Sequence, residues 1–324
     1  MKICVYGAGA IGSNVAVRLA DAGIGEISVV ARGSHLAAIQ SRGLTLRHID
    51  GEQWHAHFMH ATDDPATLPP QDIVLVALKA GSLPEQAKAL RRLLAPDGVM
   101  AFLSNGIPWW WNHGWDRASG SLSLLDPGAA LWDHLGPERV LGGVIYSANQ
   151  VEAPGHVLHK GVNRYVFGEP DGHVTGRVTR VADLFRRAGL GGEVSADIRL
   201  EIWRKLMRNA VGSPFCALTR LGSADCAQVH GLPDIQRALA MEMANIARAT
   251  GFAITDEDAM QAVNTQIAST GRPSMLQDVM LGRRIEVEAL LGQPQRFAQE
   301  RGLSTPYLDT VVALLRGLDQ ALAK

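Results

Sequence analysis

Apolar runs of strand length recur through the first part of the chain and then stop. They fall at Ile3–Tyr6, Ile27–Ala31, Ile73–Leu78, Val99–Leu103 and Val140–Ser147, separated by stretches of helical periodicity or by polar, turn-rich segments. That alternation predicts an α/β fold built on a doubly wound sheet. Between Leu44 and His60 the pattern changes to polar alternation around Asp50-Gly51, which predicts a hairpin at one sheet edge. A second hairpin is predicted over His156–Leu158 and Arg164–Phe167, followed by a helix over Thr175–Ala188. From Asp197 onward only helical periods remain, at Ile198–Val211, Pro233–Gly251, Asp256–Ser269, Met275–Leu291 and Pro306–Ala323. The punctuation Gly189-Leu190-Gly191-Gly192 precedes this change, so the boundary is expected near Ser195, with an α/β domain over 1–195 and an all-α domain over 196–324. In doubly wound folds ligands lie beyond the carboxyl ends of the strands, and the expected active site is the cleft between the two domains.

The first strand runs directly into Gly7-Ala8-Gly9-Ala10-Ile11-Gly12 and a helix from about Ile11 to Ala22, with Gly23 and Gly25 closing that helix before the second strand. Gly7 permits the tight turn, Gly9 lets backbone approach a pyrophosphate, and Gly12 lets the helix pack close to the strand. The unpaired N–H groups and the positive dipole end at the helix N-terminus favour a phosphate. In a chain with 34 glycines the spacing alone is weak, but the strand before it and the helix and strand after it mark a Rossmann-type dinucleotide site. Where the second strand ends, an NAD or FAD site usually carries Asp or Glu, whereas this chain reads Arg32-Gly33-Ser34. A guanidinium there suits a 2′-phosphate, so the expected cofactor is NADP(H), with Arg32 on the phosphate and Ser34 assisting. The plainer reading of Arg32, a solvated surface arginine, is the less favoured of the two.

A formal net charge of −1 gives no reason to invoke nucleic acid or an anionic membrane, and no apolar run is long enough to span a bilayer. Cys4, Cys216 and Cys226 lack metal-type spacing and fit a reducing cytoplasm. With the nucleotide strand starting at residue 2, no leader is expected ahead of it, and the expected location is cytoplasmic. His48, His55, His57 and His60 fall in the edge hairpin, with His55 and His57 on one strand face. No cysteine or carboxylate constellation supports them, and no metal is expected. His156 and His159 flank a predicted turn and read as surface residues. The string Gly-x-Ser-x-Gly is absent, which removes support for an α/β-hydrolase.

In the helical half, Glu201, Lys205 and Asn209 stand one turn apart on one helix face, and Ser213 continues the stripe. A lysine near a buried asparagine and facing a cleft could donate a proton to a carbonyl oxygen as hydride arrives at its carbon. On spacing alone, an ordinary surface Glu–Lys pair is the preferred reading.

Taken whole, the chain resembles the ketopantoate reductase (2-dehydropantoate 2-reductase) family, in which a Rossmann domain is joined to a helical domain similar to that of 6-phosphogluconate dehydrogenase. The matching pieces, in the family's order, are Gly7 to Gly12, Leu75-Val76-Ala77-Leu78-Lys79-Ala80, Ser104-Asn105-Gly106, Glu201 through Asn209, Pro273-Ser274-Met275-Leu276-Gln277-Asp278, Glu286-Val287-Glu288, Gly292 and Thr305-Pro306. The resemblance implies that Lys205 is the catalytic acid and that Glu286 organises substrate and lysine. It implies that Asn209 binds substrate polar groups, that Ser274 binds the substrate carboxylate, and that Asn105 contacts cofactor and substrate near the reacting centre. Lys79 then lies near the adenosine phosphate, and Arg32 reads the 2′-phosphate beside Gly7, Ala8, Gly9, Ala10, Ile11 and Gly12.

The reaction so implied is NADPH-dependent reduction of 2-dehydropantoate to pantoate, a step towards coenzyme A. Hydride passes from the nicotinamide to the ketone carbon of a 2-oxo acid, Lys205 protonates the oxygen, and no metal takes part. An ordinary lysine has a pKa near ~10.4, so a cleft that lowers it improves acid catalysis near neutrality. Family members often carry asparagine where Ser213 and Ser223 align; serine is shorter and lacks the amide's paired donor and acceptor, and Ser213 stands as the substrate-binding candidate. The run Trp109-Trp110-Trp111 reads either as an apolar wall or lid for a bulkier substrate or as cover for the domain interface, the second favoured for at least two of them. Two alternatives stay open: a paralogue reducing another bulky 2-oxo acid, and a non-catalytic NADPH sensor, which would keep the glycines and Arg32 but need not keep Lys205, Asn209, Ser274 and Glu286. An amine-condensing opine-type dehydrogenase shares the gross architecture, but the Lys205-to-Asn209 pattern favours simple reduction. The expected partners are a small-molecule 2-oxo acid and a second copy of the chain, with no nucleic acid and no membrane.

Overall fold

The protein is described over residues 1–323 by a computed structural model, in which two compact units form. The first comprises Met1–Ser104 and Pro108–Ile198; the second comprises Asn105–Ile107 and the chain from Arg199 onward.

The first unit is an α/β layer structure. Its strands are β1 (Lys2–Tyr6), β2 (Glu26–Val30), β3 (Leu44–His48), β4 (Gln53–Ala56), β5 (His60–Thr62), β6 (Gln71–Val76), β7 (Leu94–Leu103), β8 (Val140–Ala153), β9 (His156–Gly168) and β10 (Gly192–Val194). They form one sheet in the order β4-β3-β9-β8-β7-β6-β1-β2-β5, with β10 beside β9. Only the β3–β4 and β8–β9 pairs are antiparallel. The helices of this unit are α1 (Ala10–Asp21), α2 (Gly33–Arg42), α3 (Ala87–Leu93), α4 (Ala130–Leu135) and α5 (Gly176–Arg187). The central strands are apolar at successive positions rather than at alternate ones, and Ile3, Cys4, Val5 and Tyr6 are all buried, because layers cover both faces of the sheet.

Several expectations change in detail. The first hairpin forms, with Thr45 opposite His55, but His60 starts β5, which pairs with β2 at the opposite edge. The second predicted hairpin is one strand: β9 runs through both segments and pairs with β8, and the chain reverses at Pro154-Gly155, where Gly155 has φ +80°. Gly161, with φ +86°, is not a hairpin turn. Tyr146 pairs with Arg164 and Ala148 with Lys160, so residues 161–163 bulge opposite Ser147. His159 lies in β9 and is buried rather than at the surface. The three tryptophans are buried side chains of this unit: Trp109 meets Phe102 edge-on at 5.7 Å, Trp111 meets Trp115 at 6.0 Å, and the Trp110 ring fills the space over Gly142.

The second unit is helical, with α6 (Ile198–Thr219), α7 (Ser223–Gln228), α8 (Leu232–Ala249), α9 (Asp256–Ile267), α10 (Ser274–Met280), α11 (Gln293–Glu300) and α12 (Pro306–Leu322). α6 outlasts its predicted end at Val211 and continues through Pro214. The helix predicted over Met275–Leu291 is instead broken. α10 stops at Met280, Gly282 takes φ +63°, and the helix resumes through a π-turn at Glu288–Gly292. Asp319 of α12 holds the gap open by accepting the Ile285 N–H at 2.8 Å and the Arg284 guanidinium, which removes Ile285 from any helical ladder. Among the described residues no helix is long and apolar enough to cross a membrane.

Packing demands a glycine at position 12 but not at position 9. A Cβ at residue 12 would run into the Gly7 carbonyl oxygen and stand 3.2 Å from Val5 Cγ1, whereas a Cβ at residue 9 would meet nothing within 4 Å. Gly12→Ala is therefore expected to destabilise the protein by about 1–3 kcal/mol, while Gly9→Ala stays within about 0.5 kcal/mol of the parent. Thermal unfolding of the two variants checks this contrast.

Candidate active site

At the carboxyl end of β1 the chain turns so tightly that the Gly7 and Ala8 N–H groups both donate to Val30 O, at 3.0 and 2.9 Å. Gly7 has φ +102°, and a side chain there would also strike Leu78 and the Ala77 carbonyl at the end of β6. The first amide of α1 to find a helical carbonyl is that of Ser13, on Gly9 O at 2.9 Å. The N–H groups of Ala10, Ile11 and Gly12 make no backbone hydrogen bond among the described residues, and no side chain caps the helix. The open space over Gly9 together with three undirected amides fits the pyrophosphate of a dinucleotide. The protein itself gives no packing reason for a glycine at position 9.

Arg32 stands in extended conformation as the N-cap of α2, exposed, and its charge bears on Tyr6 at the end of β1. Lys79 follows β6 on the loop that adjoins Gly7 through Ala77 and Leu78. Arg32 thus stands where an arginine accommodates a 2′-phosphate in folds of this kind. Sequence reasoning missed the residue that ties the loops together. His35 Nε2 lies 3.2 Å from Ser13 Oγ, Ser13 Oγ donates to Ala8 O at 3.1 Å, and Gly155 N–H donates to His35 Nδ1 at 3.1 Å. Burial lowers the His35 pKa, which agrees with a neutral ring that accepts at Nδ1 and donates at Nε2.

The other candidates gather in the second unit. Asn105, Lys205, Asn209, Ser213, Ser274 and Glu286 all belong to it, although Asn105 directly follows a strand of the first unit's sheet. Lys205 is partly buried on α6, and loss of water pushes its pKa down from the ordinary lysine value to about 7; Glu286 opposes the shift, and Arg208 adds to it. Glu201, the sequence neighbour on the same helix face, instead pairs with Arg204 at 2.7 Å. The acid that acts on the lysine therefore comes from the broken stretch between α10 and α11. A helix running unbroken from Met275 to Leu291 would have tied up the backbone on either side of Glu286. Asn209, Ser213, Ser274 and Asn105 make no side-chain hydrogen bond among the described residues, so their polar groups remain available to a ligand.

Asn105 is anchored by its neighbours. Ile107 N–H donates at 2.8 Å to Ala289 O, inside the π-turn, and Gly106 takes φ +84° because a Cβ there would overlap that same carbonyl. π-turns recur at functional sites because their register leaves a carbonyl to be used elsewhere. Nothing in the spacing of residues 286–292 announces this turn. Ser274, exposed at the start of α10, is placed by Leu276, which packs on Cys216 of α6 and Cys226 of α7. Ser223, in contrast, is buried and committed, accepting Gln266 Nε2 at 2.6 Å and donating its N–H to Gly271 O at 3.1 Å.

The sequence profile described as ketopantoate reductase PanE/ApbA matches residues 3–172, and its C-terminal counterpart matches residues 197–319. A 2-dehydropantoate 2-reductase of Mesorhizobium japonicum is 38% identical over 325 positions, covering 98% of each chain. Among solved structures, a Ralstonia solanacearum protein attributed to ketopantoate reductase superposes with a TM-score of 0.90 at 32% identity, over 99% of this chain and 98% of that one. The 2-dehydropantoate 2-reductase of Methylococcus capsulatus superposes with a TM-score of 0.82 at 26% identity, over 100% of this chain and 98% of that one. With matches spanning both units, the chain belongs to the ketopantoate reductase family of oxidoreductases.

Proposed function

We propose that this protein reduces 2-dehydropantoate to pantoate with NADPH. The observation that carries the reading is Lys205, an ammonium withdrawn from water beside Glu286, with unengaged Asn209 and Ser213 on the same helix face. Relatives along the whole chain that are named for this reaction support it. NADPH, when bound, supplies the hydride that reduces the ketone carbon. The protein's own part is to hold the acid and handle the proton. Lys205 Nζ donates a hydrogen bond to the ketone oxygen and passes it a proton as negative charge develops there. Glu286 keeps the ammonium charged against its desolvation, and the lysine then regains its proton from solvent. Asn209, Ser213, Ser274 and Asn105 are assigned to hold the acid's polar groups, and the first-turn amides of α1 to hold the pyrophosphate. For the preference between cofactors the support is Arg32, at the end of β2 where no carboxylate stands. With the family comes the expectation of a homodimer, which light scattering in solution decides.

The reaction is followed by NADPH absorbance with purified protein and 2-dehydropantoate, beside a panel of bulkier 2-oxo acids. Efficient turnover of 2-dehydropantoate is expected; a clear preference for another acid would replace the substrate in this reading. Because the proton donor is the ammonium and its pKa is lowered to about 7, kcat/KM for reduction is expected to hold below that pH and to fall as pH rises through it. Lys205→Ala is expected to lose on the order of 100- to 10,000-fold in kcat with NADPH affinity retained. Arg32→Glu is expected to lower kcat/KM for NADPH roughly 10- to 100-fold and to narrow or reverse the margin over NADH, as measured by turnover with each cofactor.

A further inference from the structure

One polar side chain packed against the lysine-bearing face of α6 has no role in the proposed proton transfer. Gln266, near the end of α9, is half-buried, and its amide rests where Gly212 lacks a side chain: a Cβ at residue 212 would overlap the amide carbon and oxygen. Gly212 lies seven residues after Lys205 and three after Asn209, so all three share a face of the helix. One amide proton of Gln266 is spent on Ser223 Oγ, at 2.6 Å, and Ser223 is itself buried and tied to Gly271. The glutamine is thereby seated on one side by a glycine and on the other by a serine. Its Oε1 takes no hydrogen bond among the described residues. A long, flexible side chain loses considerable rotamer freedom when held in this way, which pure packing over a glycine does not require of an amide.

We infer that Gln266 is the residue that reads the substrate's terminal hydroxyl, its fixed Oε1 accepting the hydroxyl proton. This rests on the proposed reduction of a 2-oxo acid at Lys205. Seven residues of helix put Gly212, on which the Gln266 amide rests, about 10 Å along the axis from the Lys205 backbone. That is too far to act on the ketone, and it assigns Gln266 to specificity rather than to chemistry. The ketone then meets the ammonium at the end of the Lys205 side chain, and the hydroxyl, carried two carbons away from the ketone carbon, faces Gln266. Ser223, buried behind the amide, is a positioning residue that fixes which way the amide points, and Gly212 supplies the seat. A site whose acceptor is already oriented discriminates against an analogue that lacks the hydroxyl, because the acceptor is then left without a donor.

The test compares 2-dehydropantoate with trimethylpyruvate, the same acid without its hydroxyl, using the full-length protein and NADPH. In Gln266→Met, which keeps length and removes the acceptor, the ratio of kcat/KM for the two acids is expected to fall roughly tenfold. Ser223→Ala, which frees the amide without removing it, is expected to lower the same ratio by a smaller factor. It decides the matter if Gln266→Met fails to fold. A ratio unchanged in the variants of an active protein, or losses equal on both acids, overturns the role of Gln266 and leaves the reductase reading intact. A parent protein inactive on both acids overturns the reductase reading, and the role of Gln266 with it.

Discussion

An ammonium drawn away from water must be compensated, and the break in the second unit's helices that carries Glu286 answers that requirement at Lys205. Moving such an ion out of solvent costs on the order of several kcal/mol unless an opposite charge approaches it. The nearest acid in the sequence, Glu201, is already paired with Arg204. Compensation comes from Glu286, far along the chain, and it is incomplete: burial outweighs the carboxylate, and the lysine settles at about 7. An acid whose pKa lies near the working pH both holds its proton and releases it readily. The residual imbalance is therefore the property that suits this lysine to the proton transfer proposed for it.

Bringing Glu286 into play requires a break in the helices, and the break has identifiable supports. Asp319 diverts the Ile285 N–H and the Arg284 guanidinium, and Gly282 reverses the chain just before them. The π-turn after the break leaves the Ala289 carbonyl to the Ile107 amide, with Gly106 small enough to lie against it. Asn105 is thus fixed by the same few residues of backbone that come after Glu286. Asn105 and Glu286 therefore share one support, and disturbing that support disturbs both.

The glycine turn after β1 is built differently, through backbone rather than side chains. Its amides are aimed by the tightness of Gly7, the closeness of Gly12 and the emptiness over Gly9, while the His35–Ser13 contact fastens the turn to the start of α2 and to the β8–β9 reversal. Strand, glycine spacing and helix were all legible in the sequence, because each is a local pattern of few residues. His35 was not, since Ser13 and Gly155 are brought to it only by the folding of the sheet. The β8–β9 pairing is hidden for a related reason: Gly161 and Gly155 look alike as letters, and only strand pairing decides which one turns the chain and which one bulges.

By itself the sequence determined the fold class, the glycine turn between β1 and α1 and the stripe Lys205, Asn209, Ser213, because strand runs, helical periods and glycine spacings are fixed by interactions between residues close in the chain. It could not show that Lys205 answers to Glu286 while Glu201 pairs with Arg204, nor that Met275–Leu291 is broken, nor that Trp109, Trp110 and Trp111 are all buried. Tertiary structure decided these. Burial, the choice of counter-charge and the seating of Gln266 on Gly212 depend on groups distant in sequence, and the energy of a desolvated charge or an oriented amide is set by what surrounds it rather than by its neighbours along the chain.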